Sequence, residues 1–102
     1  MIEETEIKAE HRDQLRSAVI DFNIGVPHDN VNFGIVATPT VLYLNQNKIA
    51  HRSNGKLFIS CNPNSLAVRY LLARLNGVNL LFINNTLVLN GSHWDGKTIE
   101  VK

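Results

Sequence analysis

The apolar positions near the start of the chain follow the spacing of a helix. Between Thr5 and about Asn23 they recur at intervals of three and four residues and comprise Ile7, Leu15, Ala18, Val19 and Phe22. This spacing places them on one face of an amphipathic helix. We expect Thr5 to cap its start, and Gly25 with Pro27 to end it.

A long segment rich in turn-forming residues follows the first helix. Residues 24–39 contain several Gly, Pro, Asn and Asp residues and predict a loop with one short extended piece at 33–36. Asn54-Gly55 then lies between two apolar runs, which is typical of a tight hairpin because both central residues of a type I′ turn need positive φ. The strands predicted in this region are 40–44, 48–52 and 56–61.

A second helix is indicated by its end signals. Asn62 is suited to the N-cap, Pro63 to the first helical position, and Gly77 to the residue beyond the end. Apart from Arg69 and Arg74 the segment between is largely apolar, which is typical of a helix covered on more than one side.

The last quarter predicts strands at 79–83, 86–89 and 98–101, with a tip loop at 90–97. The predicted order is therefore α-β-β-β-α-β-β-β. Because 102 residues suffice for one core but not comfortably for two, we expect one domain over 1–102. The fold class is α+β, with a mainly antiparallel sheet and two helices.

The charge balance is nearly neutral but unevenly distributed. Ten Lys and Arg against nine Asp and Glu give a formal charge of +1, so any surface that binds phosphates must be local. No acidic residue occurs between Asp29 and Asp95, whereas several basic residues do. This acid-free stretch is the main electrostatic feature of the sequence.

Composition also indicates the compartment. The single cysteine excludes an intramolecular disulfide and favours the reducing cytoplasm. No apolar run approaches the length of a membrane span, so we expect no membrane partner. The four histidines lack the spacing of a zinc motif, and we expect neither a metal nor a cofactor. No catalytic motif is present, so we expect no catalytic residues, and the chain is interpreted as a non-enzyme.

Two groups of residues are candidate binding sites. The first is a basic hairpin around Asn54-Gly55 with one arginine from the second helix, and it comprises Lys48, His51, Arg52, Lys56 and Arg69. It suits a nucleic acid or an acidic protein, although basic hairpins also serve to block edge pairing. The second is His93 with Trp94, in a loop flanked by glycines. Trp94 is either a partner anchor or a lid on the core.

Two segments resemble parts of known families. Residues 36–41, Val-Ala-Thr-Pro-Thr-Val, resemble the threonine-proline step of thioredoxin-like domains, which carries a cis-proline, but the chain has no Cys-x-x-Cys. The order of elements over 5–77 resembles a double-stranded-RNA-binding domain. That family has a lysine cluster at the start of its second helix, where this chain has residues 62–65, Asn-Pro-Asn-Ser. Both resemblances concern arrangement alone and establish no family.

Three functions remain open from the sequence. The leading hypothesis is a small protein-binding module, an inhibitor or adaptor, whose short strands offer edges for sheet extension. The alternatives are nucleic-acid binding by the hairpin 48–56 with the helix 63–76, and a cysteine-dependent enzyme. In the enzyme hypothesis Cys61 acts as nucleophile near a helix N-terminus; otherwise it is a buried residue at a strand end. Small-ligand binding is a further alternative. We also expect a homodimer, because pairing two free edges removes an aggregation hazard.

Overall fold

The computed structural model describes residues 9–30 and 33–101. Within these ranges the chain forms two helices and nine strands, and the α+β class with antiparallel sheets is confirmed. The elements are α1 (Ala9–Ile24), β1 (His28–Asn30), β2 (Ile35–Ala37), β3 (Val41–Leu44), β4 (Asn47–Ser53), β5 (Lys56–Ile59), α2 (Leu66–Leu72), β6 (Leu80–Ile83), β7 (Thr86–Leu89), β8 (Ser92–Trp94) and β9 (Ile99–Val101).

The strands form two antiparallel sheets. Sheet A has six strands in the order β1-β2-β3-β4-β5-β9, and sheet B has three in the order β6-β7-β8. The first five strands are a simple meander. β9 returns from sheet B and pairs with β5, so that Ile59 faces Ile99 across the ladder.

The first helix covers one face of sheet A. Leu15 and Phe22 are fully buried on α1. They pack in the same core as Leu42 and Ala50, which are cross-strand partners on β3 and β4. Gly25 ends the helix as expected, with a φ of 80° and a hydrogen bond from its N–H to the carbonyl of Phe22. The predicted cap Thr5 lies outside the described residues.

The second helix is shorter than the sequence indicates. Its N-cap is Ser65, whose hydroxyl accepts the N–H of Val68 at 3.2 Å, so the prediction of Asn62 as cap and Pro63 as first helical residue is wrong. The side chain of Asn62 instead accepts the N–H of Asn64, which makes a turn before the helix. At the other end the helix stops at Leu72, before the predicted end.

The segments expected to be loops contain two strands that were not predicted, β1 and β8, whereas β2 overlaps the extended piece expected at 33–36. Residues 24–39 include β1 and β2, and residues 90–97 include β8. β1 is made entirely of polar residues, and α1 holds it in place. His28 Nδ1 lies 2.9 Å from Asp21 Oδ2, and the amide of Asn30 donates to Gln14. These pairings between helix and strand supply the order that the polar sequence of β1 does not reveal.

The molecule is thin for its width. Its extents are 35 × 34 × 19 Å. The smallest extent corresponds to the thickness of two packed layers of secondary structure, of which sheet A is one. α1 covers the inner face of sheet A, whereas the paired side chains on the outer face are all half-buried or exposed, so no described helix or strand covers that face. Neither described helix is long and apolar enough to cross a membrane.

Candidate functional site

The structure divides the predicted basic hairpin between two faces of sheet A. His51 lies on the outer face, where its ring stacks on Phe58 with centroids 5.0 Å apart. Arg52 points the opposite way, with its guanidinium 3.9 Å from the centre of the Phe22 ring. It also donates to the carbonyl of Pro39 at 2.7 Å and to that of Phe22. Arg52 therefore joins β4 to α1 and does not share a surface with His51.

The other predicted arginine is also engaged in the fold. The guanidinium of Arg69, on α2, lies 3.9 Å from the centre of the Phe82 ring on β6. Its Nε is buried without a hydrogen-bond partner. Arg69 thus packs α2 against sheet B, away from the hairpin of β4 and β5.

The remaining candidates share the uncovered surface of sheet A, which we call the open face. Tyr43 is paired with Lys48, and His51 is paired with Phe58. Lys56 is on the same side, opposite Ser53. The open face comprises Val36, Val41, Tyr43, Lys48, His51, Lys56 and Phe58, with the acids Asp29 and Glu100 on the two edge strands.

Three adjoining depressions run along and beside the open face, and we call them the track. The first, of about 580 Å³, lies beside Tyr43 and includes Asn45. The second, of about 360 Å³, shares Asn45 and reaches Lys48, but most of its other lining residues belong to the core or to α2, so it lies beside the open face and not on it. The third, of about 90 Å³, shares Lys48 and is lined by His51 and Phe58. No carboxylate is among the described residues that line the track.

A β-bulge shapes the middle of the track. The register between β3 and β4 shifts after Leu42, because Leu42 faces Ala50 whereas Tyr43 faces Lys48. Ile49 is the extra residue, and it is buried. A bulge bends its strand and turns the side chains near it, and here it brings Lys48 beside Tyr43. The acid-free stretch of the sequence thus becomes a surface with cations and aromatic rings at its centre.

The predicted anchor Trp94 is a core residue. It is 8% exposed, and its indole N–H donates to the carbonyl of Lys97 at 2.9 Å. This is the core-lid arrangement considered from the sequence. His93, its neighbour on β8, is exposed on the other face of sheet B, opposite Val88.

Cys61 is buried just beyond the end of β5, four residues before the N-cap of α2. Burial raises the pKa of its thiol to about 11, and the nearby charge of Arg69 lowers it to a smaller extent. At neutral pH the thiol is therefore protonated and poorly nucleophilic. α2 begins at Leu66 and has seven residues, and the effect of burial on the thiol is larger than any opposing effect. The geometry gives no support to the cysteine-dependent enzyme.

Among the described strands β6 pairs with β7 alone, so sheet B has an apolar edge, which we call the β6 edge. Leu81 and Ile83 are 47% and 50% exposed on the face turned away from the core. The N–H of Asn90 donates to the carbonyl of Asn79, and the N–H of Asn79 donates to the side-chain Oδ1 of Asn90, so both backbone groups of Asn79 face β7. Residues whose backbone groups face the neighbouring strand alternate along an antiparallel ladder, and the backbone groups of the next residue, Leu80, therefore point away from β7. Those of Phe82 do the same.

Tyr43, Phe58 and the β6 edge are not among the binding residues expected from the sequence. For the two aromatic residues a signal existed, since each alternates with inward-facing apolar residues in its strand. For β6 the sequence contains no such signal, because Leu-Leu-Phe-Ile has no alternation of apolar and polar residues that would separate an exposed face from a buried one.

Neither a metal-binding cluster among the described residues nor a similar known protein indicates a function. The four histidines lie on α1, β1, β4 and β8, and across the described ranges no three His, Cys, Asp or Glu residues come together. Five strands separate the two helices, and the peptide bond before Pro39 is trans, so both partial resemblances end at the level of sequence. No family model, curated protein or solved structure matches the chain.

Proposed function

We propose that this protein is a small binding module, an inhibitor or adaptor, that recognises an extended segment of another cellular protein by adding it as a strand to the β6 edge. The supporting observation is an exposed edge strand without any polar side chain. Main-chain hydrogen bonds supply affinity in this mode of recognition, and alternate side chains supply specificity. We place the activity in the cytoplasm, because Cys61 is a buried free thiol.

Among the four described edge strands, β6 alone consists entirely of apolar residues. β1 has the sequence His-Asp-Asn, β8 has Ser-His-Trp, and β9 carries a glutamate between its apolar residues. Polar, charged or very short edge strands are the usual protection against unwanted pairing. β6 is four residues long and has none of these features. An edge left in this state is suited to a partner strand.

The geometry of the edge defines the partner segment. Leu80 and Phe82 would exchange backbone hydrogen bonds with it, while Leu81 and Ile83 would contact its side chains on the exposed face. The segment therefore needs apolar residues at alternate positions, because side chains on one face of a strand recur every second residue. It needs no charge opposite β6, since β6 carries none.

The same edge suits a second copy of the chain, and we infer that the free protein is a homodimer. Consider two copies whose β6 strands pair antiparallel about a two-fold axis. The exposed faces of both copies lie on the same side of the joined sheet only if the numbers of directly opposite residues sum to an even value. Two registers meet this condition near the strand centre: one places Leu81 opposite its own copy, and the other places Phe82 there. Both bring uncharged residues together, so no like charges oppose the pairing.

The test compares capture by wild-type protein with capture by an edge variant. Leu81→Lys adds an exposed charge to the edge without removing a buried group, and we expect it to abolish partner capture and to give the monomer mass in light scattering. Ile99→Lys is the matched control, because Ile99 is an apolar residue 41% exposed on another edge strand. Equal capture of the same partner by the Leu81→Lys variant and the wild type would refute strand addition at β6.

A further inference from the structure

We propose that the open face binds single-stranded nucleic acid, with bases stacking on Tyr43 and Phe58 and phosphates lying near Lys48 and Lys56. This activity is separate from strand addition at the β6 edge. It uses a different sheet and a different type of contact.

The aromatic residues suit bases. Tyr43 and Phe58 lie on β3 and β5, the strands that flank β4, and both are only partly buried. Proteins that bind single strands without sequence preference combine such rings with a cationic groove, because every base presents a π-face. The depression beside Tyr43 has room for a base, with the amides of Asn45 and Gln46 at its rim. A duplex would keep its bases stacked and out of reach of these rings.

The charges suit phosphates. Lys48 joins the second and third depressions, and His51 lines the third. The third depression, of about 90 Å³, has the volume of about three water molecules and so accommodates one phosphate group. The acids Asp29 and Glu100 line none of the three depressions, although Glu100 is the cross-strand partner of Phe58 at one side of the open face. An acidic peptide would also meet these cations, but it has no flat ring to stack on Tyr43.

The experiment measures fluorescence anisotropy of fluorescein-labelled oligo-dT and oligo-U with the intact chain. We expect saturable binding at 50 mM salt with a Kd below about 100 µM, the range of non-specific nucleic-acid binding. Neutralisation of two phosphates predicts a slope of about −1.4 in log K against log salt, so a rise to 200 mM should weaken binding about sevenfold. No binding at 50 mM salt overturns the proposal.

Variants locate the site. Lys48→Glu should weaken binding at least about fivefold by removing a phosphate contact, and Tyr43→Leu should do the same by removing a stacking surface. Phe58→Leu is the second aromatic variant, used if Tyr43→Leu fails to fold. Arg16→Glu is the charge control, because Arg16 is exposed on α1, in the other layer. It should bind within about twofold of wild type.

Two results would overturn the assignment even if binding occurs. Equal affinity of the wild type and the Lys48→Glu variant would place the site elsewhere. Equal affinity for the oligonucleotides and for a labelled poly-glutamate peptide would show that the face recognises charge alone, and the binding would then be to acidic protein segments. A clear preference for oligonucleotides, lost in the aromatic variants, supports base stacking.

Discussion

Arg52 provides a prediction that separates a structural from a phosphate-binding role. The structure gives its side chain three interactions at the C-terminal end of α1: the Phe22 ring at 3.9 Å, the carbonyl of Pro39 at 2.7 Å and the carbonyl of Phe22. The Phe22 carbonyl lies in the last turn of α1, where it also accepts the N–H of Gly25, and a cation there interacts favourably with the helix dipole. A lysine can replace the charge but not the planar fork that reaches both carbonyls.

The magnitude follows from these contacts. The bond to the half-buried Phe22 carbonyl contributes about 1.5 kcal/mol, the exposed bond to Pro39 about 0.5 kcal/mol, and the ring contact about 0.5–1 kcal/mol. Arg52→Ala should therefore lower the free energy of unfolding by about 2–3 kcal/mol, and Arg52→Lys by about 1–2 kcal/mol.

Urea denaturation followed by circular dichroism measures these changes as shifts in midpoint at constant slope. Lys48→Ala is the matched control on the same strand, and it should change stability by less than about 0.5 kcal/mol because Lys48 is exposed. If both Arg52 variants unfold within about 0.5 kcal/mol of wild type, the assignment of Arg52 to the fold is refuted.

Three further predictions use the same structure. Gly96→Ala should destabilise the protein by at least about 2 kcal/mol more than Gly91→Ala, because both glycines have positive φ but only at Gly96 would a Cβ meet backbone, the Cys61 carbonyl at 2.2 Å; equal thermal shifts would contradict this. The raised pKa of Cys61 predicts slow alkylation by iodoacetamide at pH 8 in the native state and rapid alkylation in urea. The folded thiol keeps its proton to about pH 11, whereas an ordinary thiol loses it near 9.0. The free energy of unfolding of wild type relative to Cys61→Ala should therefore be constant below pH 9 and fall between pH 9 and 11. A difference in free energy that does not change with pH would contradict the burial of the thiol. Oxidation should form a disulfide between two Leu81→Cys chains if Leu81 lies on the dimer axis, and between a Leu81→Cys chain and an Ile83→Cys chain if Phe82 lies on it. Val88→Cys, on the central strand, should form none. The absence of a disulfide in both pairings would contradict both registers.

The elements predicted correctly from the sequence are those whose signals lie within a few consecutive residues. Gly25 predicted the end of α1, and the Asn54-Gly55 turn lies where expected between β4 and β5, with both residues at positive φ. Thr86–Leu89 was predicted with its observed bounds. In each case the physical cause, a required φ or an apolar run, is contained in a few consecutive residues.

The remainder depended on distant partners. The strand His28–Asn30 exists because α1 holds its polar side chains, and no pattern within three residues encodes that contact. The shortened end of α2 has a similar cause: the side chain of Asn23 accepts the N–H of Asn76 at 3.0 Å and donates to the carbonyl of Arg74. For the candidate sites, a local list of basic residues could not show that Arg52 and His51 face opposite ways, although the alternation of a strand implies it.

The pairing of β5 with β9 has a consequence for folding. During synthesis from the N-terminus, α1 and the meander through Ile59 emerge before β9 exists, and the β5 side of sheet A then has no neighbour. The partner residues are some forty positions apart, as for Ile59 and Ile99, so this contact closes a long loop and is expected late in folding. Until then Leu57 and Phe58 lie on an open strand, and a nascent chain is most vulnerable to intermolecular pairing at that stage.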